Sequence, residues 1–356
     1  MKTLILLPSN RIGGAENVCF NVAKNLDYKN LEIFFLSTKD KTNKFNDLNC
    51  TLIFSNNYSE FVGAFKFVFY LIKSRKNYEF SFSSHIHCNF FISILSFLGI
   101  LRIRKTIFRE STNFYSRFRG HKLLMAKIMH SLYRIENSLI VFQTSKMEKE
   151  IVMNSKNIAN SNYVTLSNPI DFENINNLST AYRTNFLDNV CNIVCVARLE
   201  SVKRHDDLVK SLKLIRHNVH MHFVGDGTQM DALKELSNKL GVLNKITFHG
   251  NKNNPYPFMR EANINILVSE TEGFPNVINE YLVFKKPVIV SKCTEGLKNV
   301  PDINLVEIKS PLSIAKKIEC LIDSGRKIDY ESRYSYLLER TSKNYVNNIV
   351  NLFEQK

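Results

Sequence analysis

The feature that most constrains the fold is an alternation of short apolar runs with segments of helical periodicity, which occurs twice. The first series of apolar runs comprises Lys2–Pro8, Leu31–Ser37, Thr51–Phe54, Glu79–Ser84, Lys105–Phe108, Ser138–Gln143 and Tyr163–Leu166. The second series comprises Asn192–Val196, Val219–Val224, Ile246–Phe248, Asn263–Val268 and Pro287–Val290. Short strands that alternate with helices indicate parallel sheets covered on both faces. The sequence therefore predicts an α/β protein with two doubly wound, Rossmann-like domains.

The two series are separated by a turn, Ser167–Asp171, and a polar, Asn-rich stretch that continues to Asn189. A chain of 356 residues is long for one compact core and suits two domains of ordinary size. We place the first domain at residues 1–172 and the second at 190–331. The remaining segment, 332–356, has apolar residues at helical spacing.

Localisation is constrained by the apolar runs. The longest of them, Phe90–Leu101, is far below the about 18 residues that a membrane-spanning helix needs. The start of the chain lacks a long apolar region and a small-residue cleavage site, so we expect no signal peptide. Seven scattered cysteines without metal-site spacing indicate reduced thiols. We expect a cytoplasmic protein or one that lies on a membrane face.

The net charge of +15 indicates an anionic partner, either nucleic acid, anionic lipid or a phosphorylated substrate. The segment from Leu101 to Arg134 contains many basic residues and a single acidic one, Glu110. The basic residues are Arg102, Arg104, Lys105, Arg109, Arg117, Arg119, Lys122, Lys127 and Arg134. Upstream, Phe61–Lys76 combines aromatic and basic residues. Such a helix suits a lipid headgroup interface, and a core-packed helix with a solvated basic edge is an equal alternative. Without a nucleic-acid recognition motif, nucleic acid ranks well below a membrane.

Four strand-to-helix loops could hold an anionic ligand, because ligands of parallel sheets bind beyond the carboxyl ends of the strands. Gly13 and Gly14 follow the first strand, and paired glycines allow close backbone approach to an anion. Arg198 and Lys203 follow the strand Asn192–Val196 and could clamp two phosphates. Gly225-Asp226-Gly227 forms a turn of low specificity.

The fourth loop, 269–280, is the most informative. It contains Gly273, Phe274 and a proline, and a helix is predicted to begin near Pro275. The backbone amides of Asn276 and Val277 would then be available to phosphate oxygens. Glu272 precedes that helix, and Glu280 lies about one turn into it. Carboxylates accept paired hydrogen bonds from vicinal hydroxyls, so the two can contact different parts of one extended ligand.

These loops together resemble the retaining glycosyltransferases of family four, which share the GT-B fold. The matching pieces, in family order, are Gly-Gly-Ala-Glu at 13–16, Asn-Pro-Ile-Asp at 168–171, Arg198 with Lys203, and Glu272 with Glu280. Pro169 replaces a usual glycine. The resemblance covers nearly the whole chain and is strongest from about 190 to 300.

The resemblance implies a role for each matching residue. Glu272 would contact the hydroxyls of the donor sugar, and Glu280 those of the ribose. Arg198 and Lys203 would neutralise the leaving diphosphate, with the amides of Asn276 and Val277. Gly14 would lie near the phosphates, and the backbone near Asn251 near the base. The resemblance also implies a final helix that returns to the first domain.

One departure concerns the acceptor side. Many members of the family carry a histidine after the strand that corresponds to Lys105–Phe108, where this chain has Arg109 and Glu110. Either residue is a candidate to replace it. His85 and His87, which we place at the end of the preceding strand on one face, are further candidates on the acceptor side, and such a pair can bind metal.

The resemblance therefore predicts a metal-independent transferase without a cofactor, because fixed positive charge around the leaving group suffices. A UDP-sugar donor is favoured, and GDP-sugars stay open. The acceptor is expected to be a glycan or a polyprenyl-diphosphate-linked intermediate at the inner face of the plasma membrane, in O-antigen, lipopolysaccharide or capsule assembly. The alternatives are a GT-B-fold sugar-nucleotide epimerase, an inactive sugar-nucleotide binder and a basic nucleic-acid-binding protein.

Overall fold

The protein is described by a computed structural model that covers residues 2–11, 13–26, 30–39, 44–133, 137–325 and 327–354. The chain divides into two compact units. Unit 1 comprises Met1–Pro169 and Arg340–Lys356, and unit 2 comprises Ile170–Glu339. Arg134, one of the basic residues noted above, lies outside the described residues.

Unit 1 contains a parallel sheet in the order β3-β2-β1-β4-β5-β6-β7. Its strands are β1 (Thr3–Ser9), β2 (Leu31–Ser37), β3 (Thr51–Phe54), β4 (Asn77–Ser83), β5 (Arg102–Arg109), β6 (Ser138–Phe142) and β7 (Asn162–Thr165). Every residue of β1, β2 and β6 is buried. Continuous burial is typical of strands covered on both faces, which explains why these strands are mostly apolar in the sequence.

The helices of unit 1 cover both faces of this sheet. They are α1 (Gly14–Ala23), α2 (Glu60–Ser74), α3 (Ile86–Phe97), α4 (Phe114–Arg117), α5 (Gly120–Ser131), α6 (Ser145–Asn154), α7 (Lys156–Ala159) and α15 (Ser342–Glu354). One apolar cluster contains buried residues of α2, α3, α5 and α6. A second contains those of α1 and α15. The chain moves from β1 to β3 in one direction along the sheet and from β3 to β7 in the other. Because strand-helix-strand crossovers are right-handed, helices that belong to the two directions lie on opposite faces of the sheet.

Unit 2 contains a second parallel sheet in the order β10-β9-β8-β11-β12-β13. Its strands are β8 (Cys191–Val196), β9 (Val219–Val224), β10 (Ile246–Phe248), β11 (Ile264–Leu267), β12 (Val288–Ser291) and β13 (Asn304–Val306). Its helices are α8 (Phe172–Leu178), α9 (His205–Ser211), α10 (Met230–Lys239), α11 (Tyr256–Glu261), α12 (Asn276–Leu282), α13 (Pro311–Ser324) and α14 (Tyr330–Glu339). Two large apolar clusters lie on its faces. The predicted fold class, two Rossmann-like parallel-sheet domains, is confirmed.

Three parts of the chain contain elements that the sequence did not predict. Strand β13 was not predicted, because its three residues are too few to show a periodicity. Helix α8 lies in the stretch interpreted only as polar; Asp171 caps it by accepting a hydrogen bond of 3.2 Å from the Asn174 amide. The segment 332–356 is not one helix, since α14 belongs to unit 2 and α15 to unit 1.

The division between the units falls at Pro169 and Ile170, close to the expected boundary at 172. The polar stretch up to Asn189 is part of unit 2 in the structure. Within the described ranges, every helix is too short or too polar to cross a bilayer.

Candidate functional site

Three neighbouring strands of unit 2 end beside one another, because β8 lies next to β11 and β11 next to β12. The loops that leave their carboxyl ends contain Arg198, Glu272 and Cys293 respectively. Parallel sheets bind ligands at this edge, where loops converge and helices begin. The predicted donor-site residues Arg198 and Glu272 therefore lie at the edge where a ligand is expected.

The centre of the arrangement is an ion pair between the Lys203 ammonium and Glu272 Oε1. Both side chains are partly exposed, at 16% and 17% of their accessible areas. Lys203 ends a short 3-10 turn, Ser201–Lys203, that precedes α9. The sequence predicted both residues as donor contacts, and the structure brings them into direct contact across 69 positions of the chain.

The Glu272 loop is held in place by hydrogen bonds on both sides. Ser269 Oγ donates to Glu272 Oε1 at 2.9 Å, and the Glu272 amide donates to the Cys293 carbonyl at 3.2 Å. The Glu270 amide donates to the Val202 carbonyl at 2.8 Å, which ties this loop to the Lys203 turn. Glu272 Oε2 accepts no hydrogen bond from the described residues, so one carboxylate oxygen is fixed and the other is available.

Helix α12 follows this loop, with Pro275 as its N-cap and Asn276 and Val277 as its first residues. The sequence predicted a helix beginning near Pro275, and the structure begins it one residue later, at Asn276. Phe274 is buried in the adjacent apolar cluster. The phenolic oxygen of Tyr281 accepts the Val196 amide at 2.8 Å, and its hydroxyl donates to the Ile266 carbonyl at 3.3 Å. These contacts fix the start of α12 against the end of β8.

Glu280 lies in the second turn of α12 and is half-buried. Burial raises the pKa of Tyr256, and the nearby carboxylates of Glu280 and Asp171 raise it further. The three side chains therefore share one region of unit 2. The phenol stays protonated at neutral pH and keeps its capacity to donate a hydrogen bond.

Arg198 lies in the loop after β8, and its side chain is exposed without an ion-pair partner among the described residues. The Gly225–Gly227 turn packs against its backbone. A Cβ atom at Gly225, where φ is +146°, would lie 2.0 Å from the Ala197 carbonyl oxygen. One at Gly227 would lie 2.5 Å from the Leu199 carbonyl oxygen. Both glycines are therefore required so that the two loops can approach each other.

Asn251 follows Gly250, whose carbonyl accepts the Gly225 amide at 2.8 Å. Its side chain is exposed. The structure thus places Asn251 beside the turn that supports Arg198, on the far side of β9 from Glu272.

In unit 1, Gly14 is the first residue of α1 and Gly13 is its N-cap. The Gly13 amide donates to Glu16 Oε2 at 3.1 Å, and Glu16 Oε1 lies 3.1 Å from His85 Nε2. Burial raises the pKa of Glu16, but the hydrogen bond and charge of His85 outweigh it, and the pKa is lowered. The glycine loop and His85, both predicted site residues, are therefore linked through Glu16.

His85 and His87 begin helix α3 and do not close strand β4, which ends at Ser83. Their rings are 5.7 Å apart. His87 Nε2 lies 3.4 Å from Glu60, and burial together with His85 lowers the pKa of His87 to about 4. Within the described residues, no group of three or more potential ligands is arranged to hold a metal ion.

Arg109 and Glu110 are buried inside unit 1, at 1% and 0% exposure. Arg109 donates to Ser84 Oγ at 2.6 Å and to Asn168 Oδ1. It therefore connects the end of β5 to the segments that contain Ser84 and Asn168. Glu110 accepts from Asn89 at 3.0 Å and Tyr133 at 2.9 Å. These contacts stabilise the unit, and neither charged group is exposed to an acceptor in this structure.

Glu110 also faces His130, at 3.4 Å and equally buried. Burial raises the pKa of Glu110, but His130 and the hydrogen-bond donors around it outweigh that effect and lower it. The carboxylate is therefore held as an anion within the core of unit 1.

Sequence reasoning missed Ser269, Glu16 and the supporting role of the Gly225 turn. Ser269 stands in the quoted motif, and its position three residues before Glu272 was the available signal. Glu16 was part of the matched Gly-Gly-Ala-Glu segment. Arg204, next to Lys203, forms a bidentate ion pair with Asp207 at 2.9 Å, which leaves Lys203 as the cation beside Glu272.

Comparison with known protein families gives a match to unit 2. Residues 185–336, which contain the whole of the sheet of unit 2, match the family model of the glycosyl transferases group 1. An uncharacterized glycosyltransferase of Methanocaldococcus jannaschii is 28% identical over 47% of this chain and 43% of its own length.

Two further relatives have more specific names. The N-acetylgalactosamine-N,N'-diacetylbacillosaminyl-diphospho-undecaprenol 4-alpha-N-acetylgalactosaminyltransferase of Campylobacter jejuni is 25% identical over 57% of this chain and 56% of its own. The capsular polysaccharide biosynthesis glycosyltransferase CapH of Staphylococcus aureus is 23% identical over 75% of each chain. The matched part thus spans about half the length of the first two relatives.

The structural comparison covers the whole molecule. The crystal structure of Anabaena Alr3699/HepE in complex with UDP-glucose superposes with a TM-score of 0.84 over 100% of both chains. Sequence identity is 16%, so this likeness establishes the fold alone. The chain therefore has the GT-B fold, and its residues 185–336 match the model of the glycosyl transferases group 1.

Proposed function

We propose that this protein is a glycosyltransferase that moves a sugar from a nucleotide-diphosphate donor to a glycan or lipid-linked acceptor, with retention of the anomeric configuration. The observation that carries the proposal is the Lys203–Glu272 ion pair at the carboxyl edge of the unit 2 sheet. It joins the cation and the carboxylate that a sugar diphosphate requires, inside the segment that matches the transferase family.

The leaving group in such a reaction is a diphosphate, and its developing negative charge is stabilised by fixed cations and amides. Lys203 has three N–H donors, of which one is directed at Glu272, so the ammonium can also bind a phosphate oxygen. Arg198 adds a guanidinium that is exposed to the solvent. The first amides of α12, at Asn276 and Val277, favour an anion in the same way.

Glu272 is suited to the sugar because its two oxygens have separate tasks. Oε1 accepts from Lys203 and Ser269, which fixes the carboxylate. Oε2 is then available to a sugar hydroxyl, and its negative charge opposes the positive charge that develops at the anomeric carbon. We assign Glu280 to the ribose hydroxyls. For retention, the acceptor attacks from the face of the leaving group, and a phosphate oxygen takes its proton.

The donor and acceptor are proposed from the relatives. The Anabaena protein binds UDP-glucose, which supports a UDP-sugar donor. The C. jejuni relative is named for a diphospho-undecaprenol acceptor and the S. aureus relative for capsule synthesis. We therefore propose a lipid-linked acceptor in capsule, O-antigen or lipopolysaccharide assembly, used at the inner face of the plasma membrane. The reaction is proposed to require no metal and no cofactor.

Thermal unfolding in the presence of nucleotides tests the donor site. A ligand that binds only the folded state raises Tm with its concentration, by about 2.7 kcal/mol of stability at one hundred times Kd. We expect UDP and UDP-sugars to raise Tm more than GDP or ADP does, with and without EDTA. Absence of stabilisation by any nucleotide at millimolar concentration contradicts the proposal.

Hydrolysis of the preferred sugar nucleotide, followed by proton NMR before the product mutarotates, tests retention. The first product is expected to have the anomeric configuration of the donor. An inverted first product overturns the proposed stereochemistry and leaves the donor assignment intact. The role of Lys203 is tested separately by the variant Lys203→Ala. Lys309→Ala is its matched control, because Lys309 pairs with the neighbouring Glu270 at 2.6 Å on the exposed surface.

A further inference from the structure

Three helices of unit 1 share one face of its sheet. The inner sides of α2, α3 and α5 contribute to a single apolar cluster, which contains Phe67, Ile92 and Ala126. The rings of Phe67 and Phe91 are 6.0 Å apart and connect α2 to α3. Their outer sides therefore form one continuous surface, which we call the outer face.

The outer face of α2 is aromatic. Phe61, Phe65 and Phe69 are 73%, 63% and 68% exposed, and Ile72 is 57% exposed. Spacings of three and four residues place all four side chains in one stripe along the helix. The ring of Phe61 meets the edge of Phe65 at 4.9 Å.

This stripe is not left over from poor packing, because the inner side of α2 is fully used. Gly63, Phe67 and Leu71 are buried against the sheet. A Cβ atom at Gly63 would lie 1.6 Å from the Leu36 carbonyl oxygen, so a glycine is needed for α2 to lie this close to β2. The two interpretations of this segment, a core-packed helix and an interfacial helix, are therefore compatible. Helix α2 packs against the core on one side and exposes aromatic residues on the other.

The neighbouring helices extend the apolar surface. Large hydrophobic side chains that are at least half exposed at the end of α3 and on α5 are Phe97, Leu98, Leu124, Met125 and Ile128. Exposed apolar residues that occur singly are normal, but a group spread over three adjacent helices indicates a binding surface.

Charge on the outer face is of one sign. The exposed basic residues on or next to these helices are Lys66, Lys73, Arg75, Arg119, Lys122 and Lys127. The only acid within the three helices is Glu60, which is already paired with Lys39 at 2.8 Å. A partner must therefore offer negative charge and an apolar layer together.

We propose that the outer face is the surface by which this protein docks on an anionic phospholipid bilayer. Aromatic and aliphatic side chains would enter the headgroup region, while the lysines and arginines contact lipid phosphates. A second copy of the chain fits less well, because two outer faces would bring like charges together. The inference rests on the proposed function only for the identity of the membrane, and it names the residues that contact it.

Cosedimentation of the full chain with sucrose-loaded vesicles tests the proposal. We expect binding to vesicles of phosphatidylglycerol and phosphatidylcholine that is at least tenfold stronger than binding to phosphatidylcholine alone, and that weakens as salt rises. The triple variant Phe61→Ser, Phe65→Ser, Phe69→Ser and the double variant Lys73→Glu, Lys127→Glu are each expected to lose at least tenfold in affinity.

Control variants place comparable changes on unit 2. Leu214→Ser with Leu312→Ser removes two apolar side chains that are 47% and 53% exposed, and Lys213→Glu with Lys239→Glu reverses two exposed charges. Both are expected to bind vesicles as the wild type does. Equal losses in control and outer-face variants overturn the proposal, as does equal binding to both vesicle types.

Two measurements separate the remaining outcomes. Light scattering during gel filtration reports self-association, and a dimer that the Phe61, Phe65 and Phe69 changes convert to a monomer overturns the membrane assignment. UDP-induced stabilisation reports the donor site of unit 2. We expect it to be unchanged in the outer-face variants, so a failure of membrane binding and a failure of the proposed transferase function give different results.

Discussion

The two units have similar parallel sheets but differ in the accessibility of the charged residues that follow their strands. Unit 1 buries charge, since Arg109, Glu110 and His130 are at most 1% exposed, and it exposes aromatic rings on α2. Unit 2 keeps Arg198 exposed and Lys203 and Glu272 partly exposed at the carboxyl edge of its strands. The same strand-helix alternation therefore supports an internal polar network in one unit and an accessible polar site in the other.

This comparison shows that charged residues after parallel strands can differ widely in accessibility. Glu110 and Glu272 both follow parallel strands, β5 and β11. Glu110 is fully buried and accepts hydrogen bonds from Asn89 and Tyr133 inside the core, whereas the Glu272 side chain is 17% exposed. The difference lies in what packs over each loop.

The largest effect is expected from Glu110→Ala. Removing this carboxylate takes away the acceptor of Tyr133 and one acceptor of Asn89 inside the core, and removing one member of a buried ionic group costs about 3–5 kcal/mol. Urea unfolding measures the loss. Glu270→Ala, which removes one member of an exposed pair with Lys309, is the control and is expected to cost at most about 1 kcal/mol. Similar losses for both variants would remove the contrast between buried and exposed charge.

Lys203→Ala is expected to affect catalysis more than stability. If Lys203 neutralises the leaving diphosphate, its removal lowers the transfer rate by about 10²–10³-fold, as for other fixed groups that stabilise developing charge. Steady-state transfer with saturating donor measures kcat, and circular dichroism verifies the fold. A variant with near-normal kcat contradicts the assignment, particularly if the Lys309→Ala control behaves in the same way.

Gly225→Ala tests the support of the Arg198 loop. The new methyl group would meet the Ala197 carbonyl at a residue with φ of +146°, so we expect a loss of about 2–4 kcal/mol in the free energy of unfolding. Gly241→Ala is the matched control, because Gly241 also has positive φ but nothing lies within 4 Å of its Cβ position. It is expected to cost about 1 kcal/mol. Equal costs would show that strain and not loop contact dominates.

The smallest effect on stability is expected when the pH is lowered. Burial, with a contribution from Lys203, lowers the pKa of His205 in unit 2 to about 3, below its usual 6.5. Because only the unfolded chain takes up this proton, stability is complete above pH 6.5 and falls as the pH drops towards 3. Between pH 6.5 and 5 the loss is about 2 kcal/mol for this residue.

Urea unfolding at pH 7 and pH 5 measures that slope. His205→Gln, which cannot titrate, is expected to show a shallower dependence than the wild type. His121→Gln is the control, since His121 is exposed, and its slope is expected to match that of the wild type. A slope that His205→Gln leaves unchanged would assign the acid sensitivity to other groups.

Much of the fold could be predicted from local pattern. Strands β2, β3, β9 and β10 have the bounds that the apolar runs indicated. Every residue of β2 and β9 is buried, and burial on both faces leaves a strongly apolar signal. Strand β13 is too short to carry such a signal. Helix α8 depends on capping by Asp171 and on the packing of Ile175, neither of which a polar composition reveals.

The candidate site was predicted as a set of positions and not as a set of contacts. Arg198, Lys203, Glu272 and Glu280 were identified from residue types and loop context. Their neighbours were not, because the Lys203–Glu272 pair joins residues 69 positions apart and the Glu16–His85 contact joins two different strand-to-helix loops. Such pairs depend on strand order, which a single sequence does not specify.

The sequence by itself determined the fold class and the loops in which ligand-binding chemistry could lie, since both follow from local periodicity and residue type. Only the tertiary structure decided which polar groups are available. It buried Arg109 and Glu110, left Arg198 exposed, and divided the final segment between the two units at Arg340. The physical reason is that burial is decided by the neighbours of a side chain, and those neighbours come from distant parts of the chain.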